Sequence, residues 1–234
     1  MRAIVSAGGR GTRLKPFTMV IPKPLVPVGE TPILEILIRQ LAGQGFERIT
    51  LSVGYLSTLI EAFCGDGGRW GIPVDYIRED EPLGTAGFLS LVDDLMDDRL
   101  LVVNGDTLTD LDMASVWREH DANDGATICA SRRSVAVEFG VLESDDAGHL
   151  RSYVEKPELA YDVSMGVNTV SAWAIEQLVP GGPLDMPDLL AQIQAIGRVV
   201  RVRHTDAYWL DLGRMSDLDL ANEVFAADPK RFLP

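Results

Sequence analysis

The chain has 234 residues and a mass of 25.5 kDa; 46% of its residues are hydrophobic, 24% are charged, and its mean hydropathy is +0.08. That composition excludes disorder, and a chain of this length can bury roughly 70–75% of its unfolded surface, so it needs no disulfide or metal staple to fold. The net charge of −14 argues against a general nucleic-acid binder, and the sequence holds no apolar run of the roughly 18–20 residues that a membrane span requires.

Met1 to Ala7 is a short apolar run that reads as a buried strand, too short for a secretion signal, so a cytoplasmic location is expected. Pro32 to Leu41 places Ile33, Leu34, Leu37, Ile38 and Leu41 at helical spacing, with Thr31 as the cap and Pro32 in the first helical position. Strands are expected at Arg48 to Val53, Ile72 to Arg78 and Leu100 to Val103, with helices at Ser57 to Phe63 and from about Gly84 to Leu95. This alternation argues for an α/β fold, a parallel sheet with helices on both faces. After residue 125 the pattern turns to strands: Ala126 to Ser131, Phe139 to Glu143, Leu150 to Glu155 and Val163 to Val170. Helices follow at Asp188 to Ile196, introduced by Asp185 and Pro187, and at Asp217 to Ala227. These second-half strands and helices are expected to extend the same sheet. No repeat or linker divides the chain, so residues 1–234 read as a single domain.

Charge is unevenly spread. The first 29 residues carry Arg2, Arg10, Arg13, Lys15 and Lys23 and no acid, leaving −19 on the rest. A basic, glycine-rich opening on an acidic body suggests a local anion site. Its centre is Ala7-Gly8-Gly9-Arg10-Gly11-Thr12-Arg13-Leu14, where glycines let the backbone approach a ligand and aim N–H groups at it. A structural turn uses such glycines too. The dinucleotide fingerprint is not met, since its third glycine would fall at Leu14, and no G-K-[ST] follows to make a Walker A loop.

The continuation is more specific. Pro16, Thr18 and Pro22-Lys23-Pro24-Leu25-Val26-Pro27-Val28 complete a long pattern, followed in order by Glu81-Pro82-Leu83-Gly84-Thr85-Ala86-Gly87, Asn104-Gly105-Asp106, Phe139-Gly140-Val141, Val154-Glu155-Lys156-Pro157, Asp185-Met186-Pro187-Asp188 and Tyr208-Trp209-Leu210-Asp211-Leu212-Gly213. With these segments the chain resembles the sugar-1-phosphate nucleotidylyltransferases, most closely the mannose-1-phosphate guanylyltransferase branch. The resemblance implies a Rossmann-like three-layer fold with a mainly parallel central sheet, strands added in the second half, and a site at the strands' C-terminal ends. It also implies a nucleotidyltransferase domain; no hexapeptide-repeat pattern is present, so the C-terminal β-helix that some relatives carry is not expected.

The implied reaction joins two polyanions: a sugar 1-phosphate oxygen attacks the α-phosphorus of an NTP and pyrophosphate leaves. Positioning and fixed positive charge dominate such chemistry. Arg13 matches the arginine on the triphosphate, where its planar fork suits phosphate oxygens. Lys23 matches the lysine bridging sugar phosphate and α-phosphate, and Asp106 and Asp211 match the pair that binds Mg²⁺. Ala7, Gly8, Gly9, Gly11, Thr12, Gly84 and Thr85 are expected on the nucleotide. Gly140, Glu155, Lys156 and Ser164 are expected on the sugar phosphate, Ser164 standing where mannose-type enzymes carry Asn. At the position where thymidylyl and uridylyl enzymes commonly place Gln stands Glu79. A carboxylate offers only acceptors, which suits the adjacent N1–H and N2–H of guanine and favours GTP.

The implied partners are therefore an NTP and an aldose 1-phosphate of mannose or heptose type, with no nucleic acid and no membrane; a homo-oligomer is left open. Two alternatives stand: a uridylyltransferase for an amino-sugar 1-phosphate, and a non-catalytic, nucleotide-sugar-sensing paralogue. Other residues read as structural. Cys64 and Cys129 are reduced hydrophobes, His120, His149 and His204 solvated surface, and Trp117, Trp173 and Trp209 packing. Asp93-Asp94 and Asp97-Asp98 look like a charged helix end.

Overall fold

The computed structural model describes residues 1–95 and 97–233. The first strand, β1 (Arg2–Ser6), sends Ala3 and Val5 to one face and Ile4 to the other, each fully buried, so its apolar run is continuous rather than alternating. Two two-residue strands, β2 (Pro27–Val28) and β3 (Thr31–Pro32), pair antiparallel and lead into α1 (Ile33–Gly43). The expected Thr31 cap is thereby corrected: Thr31 and Pro32 belong to that small ribbon, and the helix starts at Ile33 with Pro32 as its N-cap. Next come β4 (Arg48–Val53), α2 (Ser57–Cys64), β5 (Val74–Arg78), β6 (Arg99–Asn104), β7 (Thr107–Thr109) and α3 (Met113–Glu119), the last capped by Asp112, which accepts the Ser115 N–H at 2.8 Å. The second half contributes β8 (Ala126–Ala136), β9 (Val141–Ser144), β10 (Leu150–Val154), β11 (Glu158–Ser171), α4 (Ala172–Glu176), α5 (Met186–Ala195), β12 (Val200–His204), β13 (Trp209–Asp211) and α6 (Met215–Ala227).

Seven strands form one sheet in the order β12-β8-β11-β6-β1-β4-β5. The pairs β1–β4, β1–β6, β4–β5 and β12–β8 are parallel, whereas β11 is antiparallel to both its neighbours. Side chains of α1, α2 and α3 bury one face, and those of α4, α5 and the short turn of helix Gly87–Leu91 bury the other. This is the expected three-layer, mainly parallel α/β architecture. A third apolar cluster joins α6 to Val28, Leu210 and the outer face of α1 through Ile33 and Ile36. Among the described residues no helix is long and apolar enough to cross a membrane.

The order of strands fixes where a ligand fits. From β1 the chain winds outward to β4 and β5, then returns to the other side of β1 as β6. The crevice at the C-terminal ends of β1 and β6 is therefore a topological switch point. Ser6 and Asn104, the last residues of these strands, are register partners there.

Several expectations need correction. The stretch from Gly84 to Leu95 forms only the Gly87–Leu91 turn, because Gly84 takes φ +78° and Gly87 packs without room for a side chain. The neighbouring acids are consequently no helix end: Asp94 pairs with Arg48, Asp98 with Arg99, and Asp97 lies 3.9 Å from the N-terminal amine. Not all second-half strands join the main sheet, since β9 and β10 form their own hairpin. The two cysteines are buried and free, and burial pushes Cys64 up to about 12 and Cys129 to about 11.

His120 is the largest departure: it is 3% exposed, not solvated. Its Nδ1 lies 2.8 Å from Thr127 Oγ1 and its Nε2 2.9 Å from Ser171 Oγ, while the Ser171 hydroxyl donates to the Asp124 carbonyl at 2.6 Å. With that proton committed, Nε2 donates to Ser171; burial disfavours the charged ring, and in the neutral ring Nδ1 accepts from the Thr127 hydroxyl. Burial, then the nearby Arg99 charge, holds its pKa below the ordinary 6.5. A depressed folded value means that the stabilisation is complete above pH 6.5 and is lost as pH falls below it toward the folded pKa. His120→Leu is expected to cost about 2–3 kcal/mol at pH 8 and to flatten this acid slope. Urea melts of both proteins from pH 8 to pH 5 check it; parallel slopes would contradict it.

Candidate active site

The loop after β1 begins at the switch point. The Ala7 N–H donates to the Ser52 carbonyl at 2.8 Å, and the Gly105 N–H donates to the Ser6 carbonyl at 2.9 Å, so the loops after β1 and β6 lie side by side. A Cβ on Gly105 would fall 2.8 Å from the Ser6 oxygen, which explains the glycine between Asn104 and Asp106. Gly11 has φ +56°, and a Cβ there would press at 3.0 Å on both Lys23 Cβ and Thr18 Cγ2. Thr18 closes this loop by donating its hydroxyl to the Gly11 carbonyl at 2.8 Å. Gly9 differs, because a Cβ on it would meet no protein atom within 4 Å. Its missing side chain leaves space for a ligand.

Asp106 and Asp211, 105 positions apart in the sequence, converge. Antiparallel pairing of β13 on β7 sets Asp211 opposite Thr107, and the Leu212 N–H donates to the Asp106 carbonyl at 3.1 Å. Lys23, held in a short helical turn between Pro22 and Pro24, reaches both: its Nζ hydrogen-bonds Asp106 Oδ2 and lies 3.7 Å from Asp211 Oδ1. Burial first, and then the adjacent Asp106 carboxylate, raises the Asp211 carboxyl above its ordinary value; Lys23 and Arg13 pull the other way. Gly213 sits between Asp211 and Arg13, its hypothetical Cβ 2.8 Å from Asp211 Oδ2 and 3.4 Å from Arg13 Nη1.

Two cavities flank Gly9. One, about 150 Å³, is lined by Ala7, Lys23, Thr85, Asn104 and Asp106. The other, about 360 Å³, is lined by Gly8, Arg10, Tyr55, Glu79 and Pro82. In the second, both Glu79 oxygens are fixed: Oε1 accepts the buried Ser52 hydroxyl at 2.5 Å, and Oε2 accepts the Leu83 N–H at 3.0 Å. A Cβ on Gly8 would fall 2.9 Å from Oε1, so the carboxylate stands directly behind the glycine loop. Arg10 lies 5.9 Å from the Tyr55 ring centre.

The sequence-derived residues thus fall into groups. Ala7, Gly8, Gly9, Gly11, Lys23, Glu79, Thr85 and Asp106 surround the two cavities or pack on residues that do, and Arg13 and Asp211 adjoin them. Thr12 is exposed at the start of the next short turn, and Gly84 packs against the start of α5. Gly140 and Glu155 meet on the β9–β10 arm, where the Tyr153 hydroxyl donates to Glu155 Oε2 at 2.9 Å and leaves no room for a side chain on Gly140. Lys156 follows at φ +44°, and Ser164 is exposed near Gly166, which packs on Asn104. Among the described residues no side-chain hydrogen bond or ion pair joins the arm to Asp106. Ser6, Asn104, Tyr55 and Pro82 line the cavities without having been assigned roles from the sequence. Their common signal is position, at or just beyond the ends of β1, β4, β5 and β6.

Residues 2–227 match the family model described as nucleotidyl transferase. The chain belongs to the nucleotidyl transferase family. Among its nucleotidyl transferase relatives, the UTP–glucose-1-phosphate uridylyltransferase of Synechocystis is 30% identical over 93% of this chain and 61% of its own length. The mannose-1-phosphate guanylyltransferase of Mycobacterium tuberculosis is 30% identical over 92% of this chain and 62% of its own length. The chain therefore spans about three fifths of the length of these curated relatives. Crystal structures of HddC from Yersinia pseudotuberculosis match over 96% of this chain and 99% of theirs, one with 30% identity and a TM-score of 0.76, the other, complexed with GMP-PN, with 29% and 0.74.

The donor set of the candidate site suits Mg²⁺. Among the described residues no cluster of three or more His, Cys, Asp or Glu is placed to hold a metal. Two carboxylates facing one lysine leave room for further positive charge, and Mg²⁺ is commonly held by one or two carboxylates with substrate phosphates and water completing the shell.

Proposed function

We propose that the chain transfers a nucleotidyl group from an NTP, GTP in preference, to a mannose- or heptose-type aldose 1-phosphate. An oxygen of the sugar phosphate bonds to the α-phosphorus, the bond from that phosphorus to the α–β bridging oxygen breaks, and pyrophosphate leaves with the electron pair. The observation that carries this reading is the meeting of Lys23, Asp106 and Asp211 beside the glycine loop. Intact charge at all three, with Arg13 adjoining, argues against a sensing paralogue.

In this reading Lys23 holds the sugar phosphate against the α-phosphate, and Arg13 neutralises the triphosphate. Asp106 and Asp211 would hold Mg²⁺, which when bound stabilises charge on the transferring phosphoryl group. The backbone of Ala7 to Thr12 receives the nucleotide, and the arm residues Gly140, Glu155 and Lys156, with Ser164, receive the sugar.

The base preference rests on Glu79. Its fixed carboxylate keeps lone pairs for two more donors, which guanine N1–H and N2–H provide and a pyrimidine imide does not. The relatives named above include both uridylyl and guanylyl enzymes, and a GMP-PN complex is known for HddC. Pyrophosphate release should be measured with each of the five NTPs. GTP is expected to lead, and Glu79→Gln is expected to lower kcat/KM for GTP by about 10–100-fold while raising relative use of UTP and dTTP. Wild-type turnover with UTP or dTTP but not GTP would sink the assignment and favour the uridylyltransferase reading.

A further inference from the structure

We propose that Asp185 is a positioning residue of the nucleotide subsite, clamping the Gly84–Gly87 turn so that Thr85 is held in the cavity wall beside Lys23 and Asp106. This rests on the nucleotidyltransferase reading given above. The clamp is built across 100 positions of sequence: the Thr85 N–H and hydroxyl donate to Asp185 Oδ1 at 2.9 and 3.2 Å. The Thr85 oxygen in turn accepts the Met186 N–H at 2.7 Å. Backbone bonds complete the join, with the Ala86 and Gly87 N–H groups donating to the Leu184 carbonyl and the Leu184 N–H donating to the Leu83 carbonyl, each at 2.9 Å. Gly84, at φ +78°, fits only without a side chain, since a Cβ would lie 2.6 Å from the Leu184 oxygen and 2.7 Å from Asp185 Oδ1.

The use of Asp185 is unusual for its position. It is the N-cap of α5, where a carboxylate ordinarily accepts the second or third helical N–H. Here its carboxylate makes no bond to its own helix, which only the Asp185 backbone carbonyl caps, and turns to Thr85 instead, whose hydroxyl serves the first helical amide. The two residues have exchanged roles, so the start of α5 and the wall of the nucleotide cavity form one unit. The Thr85 hydroxyl and the N–H groups of Thr85, Ala86 and Gly87 are all committed across this join, so the turn shapes the cavity wall rather than donating to the nucleotide. What the clamp requires of residue 185 is an acceptor oxygen, not a charge.

Asp185→Ala and Asp185→Asn separate these requirements. Amide exchange across residues 83–87, measured without substrate, is expected to rise about tenfold or more in Asp185→Ala and to stay near wild type in Asp185→Asn, whose amide oxygen can still accept. GTP affinity by calorimetry is expected to fall about tenfold in Asp185→Ala, with the KM for sugar 1-phosphate within about twofold of wild type, and Asn is expected to restore both. Unchanged exchange in Asp185→Ala overturns the clamp whatever the enzyme's activity. A rise in both substrates' KM together, or an Asn variant as impaired as Ala, overturns the positioning role. A wild-type protein that binds none of the five NTPs overturns this proposal and the functional reading together, with the exchange result still reporting on the clamp alone.

Discussion

Replacing Asp106 with Asn is expected to lower kcat by about 10³-fold, roughly 4 kcal/mol of transition-state stabilisation, with little change in melting temperature. The fold should survive because what ties Asp106 to β13 is its backbone carbonyl, accepting from Leu212, and Asn leaves that intact. The carboxylate is the part that is lost. It meets Lys23 and, with Asp211, forms the candidate metal pair, so its neutral replacement weakens both at once. It also removes one of the two main influences that raise the Asp211 carboxyl, which should then titrate nearer its ordinary value. Steady-state kinetics with varied Mg²⁺ test this. Undiminished Mg²⁺-dependent turnover in Asp106→Asn would exclude the assigned role.

Lys23→Met carries the second large effect. The lysine side chain is only 11% exposed, and its stem lies against Gly11, so methionine can fill the same channel. Removing the ammonium leaves Asp106 and Asp211 facing each other with Arg13 as the remaining influence that lowers the Asp211 carboxyl. A drop in kcat of about 10²–10³-fold is expected, because the two substrate phosphates lose their shared cation. The same change should tighten Mg²⁺ binding to the free protein, since a competing positive charge is gone. Opposite signs in turnover and metal affinity distinguish loss of a bridging cation from general damage. Weaker Mg²⁺ binding in Lys23→Met would contradict this arrangement of charges.

Much of this site is legible in the sequence because its parts are local. The apolar run of β1, the glycines that follow and Lys23 between two prolines are read within thirty residues, and the helical spacing of Ile33 to Leu41 needs no tertiary information. What is not legible is register. Nothing in the spacing of Asp106 and Asp211 brings them together; the pairing of β13 on β7 does. His120 shows the same limit, for its partners Thr127 and Ser171 lie 7 and 51 positions away and no local feature marks its burial. Short elements carry too little pattern of their own. Val200–His204 alternates valine and arginine as an edge strand does, but so brief and basic a segment is not separable from a loop without its neighbour β8. The Gly84–Gly87 turn departs from the expected helix because Leu184 and Asp185, from the far half of the chain, claim its amides.

The most direct test of the assembled site is chemical. Purified protein is incubated with GTP, mannose 1-phosphate or a heptose 1-phosphate, and Mg²⁺, and both pyrophosphate and the nucleotide sugar are quantified. Equimolar formation of the two products, dependent on the sugar phosphate and abolished by chelation, is the predicted result. Absence of pyrophosphate with all five NTPs across a panel of aldose 1-phosphates would contradict it.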